Sequence, residues 1–199
     1  ILFNDIYWAV SLRSNLNIVI MHLLPVFPFM ILLVASATDK WLKEPYLSLK
    51  YLALFGLAGW QIFTVASAYP HFLAYYNELA GGPDKGYLIA VDSNLDWGQD
   101  LKRLKQWMRE NDINNIYLDY FGGGDPSYYL GQKFIPWQGT KNPSEIPKGS
   151  YLAVSATFLQ GGRANPAPGF DIPSDYYQWL NRYKPVAKIG YSIFVYDIK

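Results

Sequence analysis

Val91-Asp92-Ser93-Asn94-Leu95-Asp96-Trp97-Gly98-Gln99-Asp100-Leu101 divides this chain into two chemically different parts. A short apolar run, Tyr87 to Val91, leads into it, and a helical pattern from Leu101 to Met108 leads out. Asp92, Asn94, Asp96 and Asp100 supply side-chain oxygens at close spacing, with Trp97 among them. A strand that ends in a polar loop and turns into a helix is the usual seat of a ligand site in an open α/β sheet. The residues before the stretch read as membrane, and those after it read as the remainder of one small α/β domain.

Upstream, no Asp, Glu, Lys or Arg occurs from Ser14 to Thr38 or from Tyr51 to Asn77. Either window can cross a hydrocarbon core of roughly 30 Å at ~1.5 Å per residue. The expected spans are residues 17–37 and 49–68, so that 17–69 holds two transmembrane helices, with Pro25 and Pro28 as kinks of the kind membrane helices tolerate. His22 reads as an interfacial or packing residue. Lys40, Lys43 and Lys50 enrich the connecting loop in positive charge, which the positive-inside rule places in the cytoplasm. Residues 1–16, with Asp5, Tyr7, Trp8 and Arg13, read as an interfacial segment or the end of an earlier span. Residues 70–86 read as a neck, crowded with His71, Phe72, Tyr75 and Tyr76. The part from residue 87 to 199 then lies outside the cytoplasm, in the periplasm if the membrane is a bacterial inner membrane.

The composition agrees with this division. Of 199 residues, 51% are hydrophobic and only 17% charged, and the 17 Tyr and 7 Trp suit a bilayer interface or sugar binding, both of which use flat amphipathic rings. A net charge of +1 gives no electrostatic case for nucleic acid. The absence of Cys excludes a disulfide framework, thiolate chemistry and a zinc–cysteine site. The first residue is Ile1, so the chain is expected to be a processed or partial piece of something longer.

Downstream, the pattern predicts strands at Tyr87–Asp92, Ile116–Phe121 and Tyr151–Ala156. It predicts a helix over Gly98–Asn111 capped by Asp96 or Ser93, a short helix Ser127–Leu130, and an amphipathic helix Ser174–Tyr183 capped by Ser174. A last strand or hairpin, Ala187–Ile198, turns at Gly190-Tyr191-Ser192. Residues 131–149 and Thr157–Pro173 read as loops. The expected fold class is therefore a membrane α-helical hairpin followed by a small α/β domain, with a mostly parallel sheet and helices on both faces.

In a parallel sheet the loops Asp92–Asp100, Gly122–Tyr128 and Ser155–Arg163 gather at one edge. Asp92, Asn94, Asp96, Trp97, Asp125 and Gln160 are then the candidate polar or glycan-binding residues. Three readings stay open. Asp92, Asn94 and Asp96 open like a calcium loop, but Gly98 falls at the seventh position rather than the sixth and Arg103 stands where a bidentate Glu belongs. Carboxylates and amides also accept sugar hydroxyls while Trp97 or Tyr128 stacks on a ring. In the third reading Asp and Asn serve only as local caps for backbone N–H groups. No metal site and no cofactor is identified. Only His22 and His71 exist, both on the membrane side, which excludes a His-based triad in the α/β part.

Several strings resemble the bacterial polyprenyl-phosphate-sugar-dependent glycosyltransferases of family 39, the mannosyltransferase-like GT-C group. They are His22-Leu23-Leu24-Pro25-Val26-Phe27-Pro28-Phe29, Ala74 to Pro83, Val91 to Leu101, Ser155-Ala156-Thr157 with Leu159-Gln160-Gly161, and Ile189 to Ile193. The resemblance touches most of the chain and is most specific over Asp92–Leu101. It implies a multi-span membrane enzyme with a lipid-phosphate sugar donor and a catalytic carboxylate in an early extracytoplasmic loop. This chain resembles the C-terminal third and holds no such loop. Met21 stands where the family usually carries an Arg. No catalytic residue is assigned.

These readings support two expected functions. One is the C-terminal region of a membrane glycosyltransferase-like protein whose extracytoplasmic domain binds acceptor or glycan. The other is a non-catalytic accessory subunit that docks by its two helices and caps a larger membrane complex. The expected partners are the lipid bilayer, a glycan or lipid-linked sugar, and other membrane subunits.

Overall fold

The structure, a computed structural model, describes residues 2–13, 21–43, 45–164 and 174–199. It divides into two units, residues 1–72 and 73–199. The first contains α1 (Leu2–Arg13), a 3-10 segment Met21–Val26, α2 (Phe27–Leu42) and α3 (Leu47–Ala68). Pro25 lies in the 3-10 segment and Pro28 in the first turn of α2. A first-turn proline lacks only an N–H that would have no partner there, so Pro28 starts α2 instead of kinking it, whereas Pro25 lies inside the 3-10 segment that precedes α2.

Two stretches are long and apolar enough to cross a membrane, Leu23–Leu42 with 20 residues and Ser48–Ala68 with 21. The second matches the expected span closely. The first lies further along than residues 17–37 and carries Asp39 and Lys40 in its last turn, while residues 14–20 lie outside the described ones. No side chain of α2 is buried, and Leu32, Leu52, Phe55, Ile62 and Phe63 stand exposed. Apolar exposure on this scale suits lipid contact. Lys43 pairs with Asp39 at the end of α2 at 2.6 Å, and the two helices are joined by the Lys50 ammonium, which donates to the Trp41 carbonyl and lies over the indole ring.

The second unit holds α4 (Pro83–Gly86), α5 (Leu101–Glu110), β1 (Ile116–Asp119), α6 (Pro126–Leu130), β2 (Phe134–Pro136), β3 (Ser150–Ser155), α7 (Ala156–Gly161), β4 (Ala187–Ile189) and β5 (Ile193–Ile198). The strand order is β2-β1-β3-β5-β4. The β1–β2 and β1–β3 ladders are parallel; β3–β5 and β4–β5 are antiparallel. The sheet is mostly parallel, as expected, but not purely so: β5 alone runs against its neighbours, because the Gly190 turn folds it back between β4 and β3.

Side chains alternate across this sheet as strand geometry requires. Ile116, Leu118, Ala153, Ile193 and Val195 pack with Leu101, Leu104 and Met108 of α5 and Leu130 of α6. Leu152, Val154, Phe194, Tyr196 and Ile198 face Leu159 of α7, Tyr177, Leu180 and the incoming residues Ala74 and Leu95. Helices therefore cover both faces. Each fully buried Leu or Ile contributes about 1.5–3 kcal/mol.

Several local expectations are corrected. Tyr87–Asp92 is not a strand. Leu88, Ile89 and Ala90 donate their N–H groups to Lys85 and Gly86 carbonyls, so local turns starting in α4 consume the backbone groups a ladder would need. The expected helix Ser174–Tyr183 is reduced to a 3-10 turn, Gln178–Arg182, entered through Asp175 at positive φ and not capped by Ser174. The loops 131–149 and 157–173 conceal β2 and α7; residues 165–173 are not among the described ones. Neither Asp96 nor Ser93 caps α5, whose N-cap is Asp100.

Asp100 is fully buried, and its carboxylate accepts from the Ser192 hydroxyl at 2.6 Å and from Arg103 at 2.5 Å. This joins the start of α5 to the β4–β5 turn. Gly190 and Tyr191 there both have positive φ (56° and 71°), as a primed hairpin turn requires. A Cβ on Gly190 would sit 2.0 Å from the Asp100 carboxylate. Gly190→Ala is therefore expected to destabilise the domain by about 2–4 kcal/mol, through backbone strain and a displaced buried charge. Thermal unfolding in neutral detergent measures this; an unchanged Tm would contradict it.

Candidate functional site

The β1 strand is followed by α6 on one face of the sheet, and its neighbour β3 is followed by α7 on the other. The carboxyl ends of β1 and β3 therefore flank a topological switch point, where α/β sheets open a crevice. The Asp92–Gly98 loop reaches the same place without being preceded by a strand. It is held by cross-bonds: the Asp92 N–H donates to Thr157 Oγ1 (3.0 Å), and the Tyr120 hydroxyl donates to the Gly98 carbonyl (2.8 Å). The Phe121 N–H donates to Ser155 Oγ at 2.9 Å, fixing the turn after β1 against β3.

The two loops touch backbone to backbone. A Cβ on Gly98 would meet the Tyr120 hydroxyl oxygen at 1.9 Å, and one on Gly122 would meet the Gly98 Cα at 2.4 Å. Both glycines also have positive φ, +77° and +134°. No other residue permits this approach.

An open groove of about 600 Å³ lies here, lined by Asp92, Asp96, Trp97, Tyr120, Gly122 and Phe158. Trp97 is 52% exposed. Its indole N–H donates to the Ser93 carbonyl (2.8 Å), which fixes the ring edge and leaves a face free. Asp92 is exposed, in a left-handed conformation at φ 57°. Asp96 is almost wholly buried, with its Oδ1 accepting from the Gly98 N–H (3.2 Å) and its Oδ2 from the Thr157 hydroxyl (3.4 Å). Burial pushes its carboxyl up to about 7, and the nearby Asp100 charge adds to the rise while these donors oppose it.

A second cavity of about 600 Å³ shares Tyr120, Gly122 and Phe158 with the first. Its deepest polar group is Asp119, whose Oδ2 accepts from the Tyr177 hydroxyl (2.6 Å) and the Gly139 N–H (3.0 Å). Burial raises the Asp119 carboxyl above the usual range despite these donors, and burial together with the Asp119 charge raises Tyr177 as well. Trp137 and Tyr176 form its aromatic walls.

Of the six candidates read from the sequence, Asp92, Asp96 and Trp97 come together in the groove. The other three serve the backbone. Asn94 donates to the Val91 carbonyl (3.2 Å), Asp125 caps α6 by accepting from Ser127 N–H (2.8 Å), and Gln160 donates to the Tyr87 carbonyl (3.0 Å). Sequence reasoning does not single out Tyr120, Phe158, Thr157 or Asp119. Asp119 has a readable signal, a lone carboxylate ending an apolar strand. Among the described residues, no group of three His, Cys, Asp or Glu side chains is placed to hold a metal ion.

Comparison with family models, with curated proteins and with solved structures returned no match for this chain.

Because Asp96 titrates higher in the folded chain than in the unfolded one, its stabilising contribution is complete below about pH 4 and is lost as pH rises through about 7. Asp119 acts in the same direction, so the informative quantity is the difference between the wild type and Asp96→Asn. The variant is expected to lose part of the decline in Tm between about pH 4 and pH 7, where a tenfold change in proton affinity on folding corresponds to about 1.4 kcal/mol. Parallel Tm–pH curves for the two proteins would refute the assignment.

Proposed function

We propose that residues 73–199 form an extracytoplasmic carbohydrate-binding domain, carried on two membrane helices, within the C-terminal region of a membrane glycosyltransferase-like protein. The carrying observation is the groove, where the fixed, half-exposed Trp97 ring stands beside the exposed Asp92 carboxylate and the buried Asp96. Sugars present an apolar C–H face and a rim of hydroxyls. An aromatic ring takes the first, and carboxylate oxygens accept from the second. Phe158 and Tyr120 add aromatic wall to the same groove.

The resemblance of the Asp92–Leu101 string to family 39 glycosyltransferases supports the same assignment, with the lipid-phosphate sugar or its acceptor as source of the glycan. The positive loop between the two apolar helices supports an orientation with Lys43 in the cytoplasm and the α/β domain on the opposite side, periplasmic in a bacterial inner membrane. In this reading the domain binds and positions a glycan; bond-making chemistry is assigned to no residue of the chain.

Binding of mono- and oligosaccharides to the full chain in neutral detergent, measured by saturation-transfer NMR, tests the groove. Trp97→Ala is expected to weaken binding by about tenfold or more, since an aromatic stack and its buried area are lost together. Saccharide binding that survives Trp97→Ala and Asp92→Ala unchanged would refute the groove as the site. Orientation is tested separately with single cysteines. An impermeant reagent applied from outside is expected to label Ser144→Cys and spare Ser48→Cys, and the opposite pattern would invert the topology.

A further inference from the structure

A second recess lies between α5 and α6, away from the groove lining. It encloses about 300 Å³, and its walls carry Lys105, Arg109 and Lys133, with Met108 and Leu130 below and Tyr128 at the rim. Among the described residues, no acidic side chain lines it. Lys105 and Arg109 stand one helical turn apart, a like-charge spacing that weakens a helix and so is not explained by helix stability. Elsewhere the helix does pair its charge: Arg103 bonds Asp100, and Gln106 bonds Glu110. Among the described residues, Lys105, Arg109 and Lys133 form no side-chain hydrogen bond or ion pair. Lys133 is brought to the recess by Gly131, whose φ of +61° and ψ of −129° form a turn that side-chain-bearing residues avoid.

We propose that this recess is an anion site for a phosphate group, either inorganic phosphate, a small phosphomonoester, or the phosphate of a lipid headgroup. Three cations around one concave space focus positive potential into it. The Arg109 guanidinium offers a planar fork to two oxygens, and the lysines offer point charges to the others. Tyr128, 80% exposed, adds a hydroxyl donor at the mouth. The site does not depend on glycan binding in the groove, whose carboxylates would repel the same ligand.

The test uses the full chain in neutral detergent and isothermal titration calorimetry with inorganic phosphate and with methyl phosphate. Saturable binding is expected, tightening as pH rises through the second phosphate ionisation near pH 6. Lys105→Gln with Lys133→Gln is expected to weaken it by about tenfold or more, whereas Lys102→Gln with Lys148→Gln, an equal loss of charge on exposed side chains outside the recess, should change it by less than about twofold. The two phosphate sources separate in nanodiscs. Methyl phosphate binding that persists in phosphatidylcholine but is suppressed in phosphatidylglycerol assigns the site to lipid headgroups, and binding that persists in both assigns it to soluble phosphate. Absence of saturable binding, or equal weakening in the recess and control variants, overturns the proposal.

Discussion

The contact between the Gly98 and Gly122 backbones sets the shape of everything at the carboxyl edge of the sheet. A Cβ on either glycine would overlap the opposite loop. With both side chains absent, the Tyr120 hydroxyl lies between the loops, donating to the Gly98 carbonyl and accepting from the Gly124 N–H. That one hydroxyl replaces a strand pairing that the Asp92–Gly98 loop does not have. The loop is therefore fixed by tertiary hydrogen bonds rather than by a ladder, and the orientation of Trp97 inherits that fixity. A binding face that is already ordered loses less conformational entropy when it takes a ligand.

The neighbouring carboxylates show how environment divides the work of similar residues. Asp100 and Asp96 are both buried and only four positions apart in sequence. Asp100 receives a guanidinium and a hydroxyl, a charge-assisted arrangement that makes it a structural tie between α5 and the last hairpin. Asp96 receives backbone hydrogen bonds from Gly98 and Thr157 and the Thr157 hydroxyl but no cation, so desolvation dominates and its carboxyl is pushed up to about 7. A carboxyl raised by burial beside an open groove is a functional-site candidate. The fully paired charge belongs to the fold, and the group that titrates near neutrality faces the groove.

Much of the architecture was legible in the order of residues. The membrane windows were visible because two long runs contain no Asp, Glu, Lys or Arg, and α5 because Leu101, Leu104 and Met108 recur at helical spacing. The hairpin was visible because glycine marks a turn at residue 190. Other elements were hidden for physical reasons. Tyr87–Val91 has the apolar content of a strand, but α4 starts a succession of local hydrogen bonds that captures it. The three-residue β2 ends in Pro136, and α7 begins directly at the end of β3, so neither leaves a periodic trace. In the site, local sequence identified Asp92, Asp96 and Trp97 but could not separate them from Asn94, Asp125 and Gln160, since an oxygen that serves a backbone N–H and one that serves a ligand are the same residue type. Asp119 depends on Tyr177, 58 positions later, and no local pattern carries that distance.

The α/β unit presents two recesses of opposite chemical preference on one small sheet. The groove offers aromatic faces and carboxylate acceptors, which favour neutral ligands rich in hydroxyl donors and repel phosphate. The α5–α6 recess offers three cations and no acceptor carboxylate, which favours the reverse. The turn after β1 and α6 connect the two in sequence, with Tyr120 and Gly122 on the groove side and Tyr128 on the other. Segregation of charge has an electrostatic consequence that neither recess has alone. On the proposed assignment a ligand bearing both a hydroxylated ring and a phosphate would enter the groove by its ring, because the carboxylates there raise the energy of the phosphate. In the same reading that discrimination would increase as Asp96 loses its proton, through the same pH range in which its contribution to stability is expected to fall. With glycan binding so assigned, the buried carboxyl would couple a cost in folding to a gain in ligand discrimination, while Asp100, four residues away, is tied to Arg103 and Ser192.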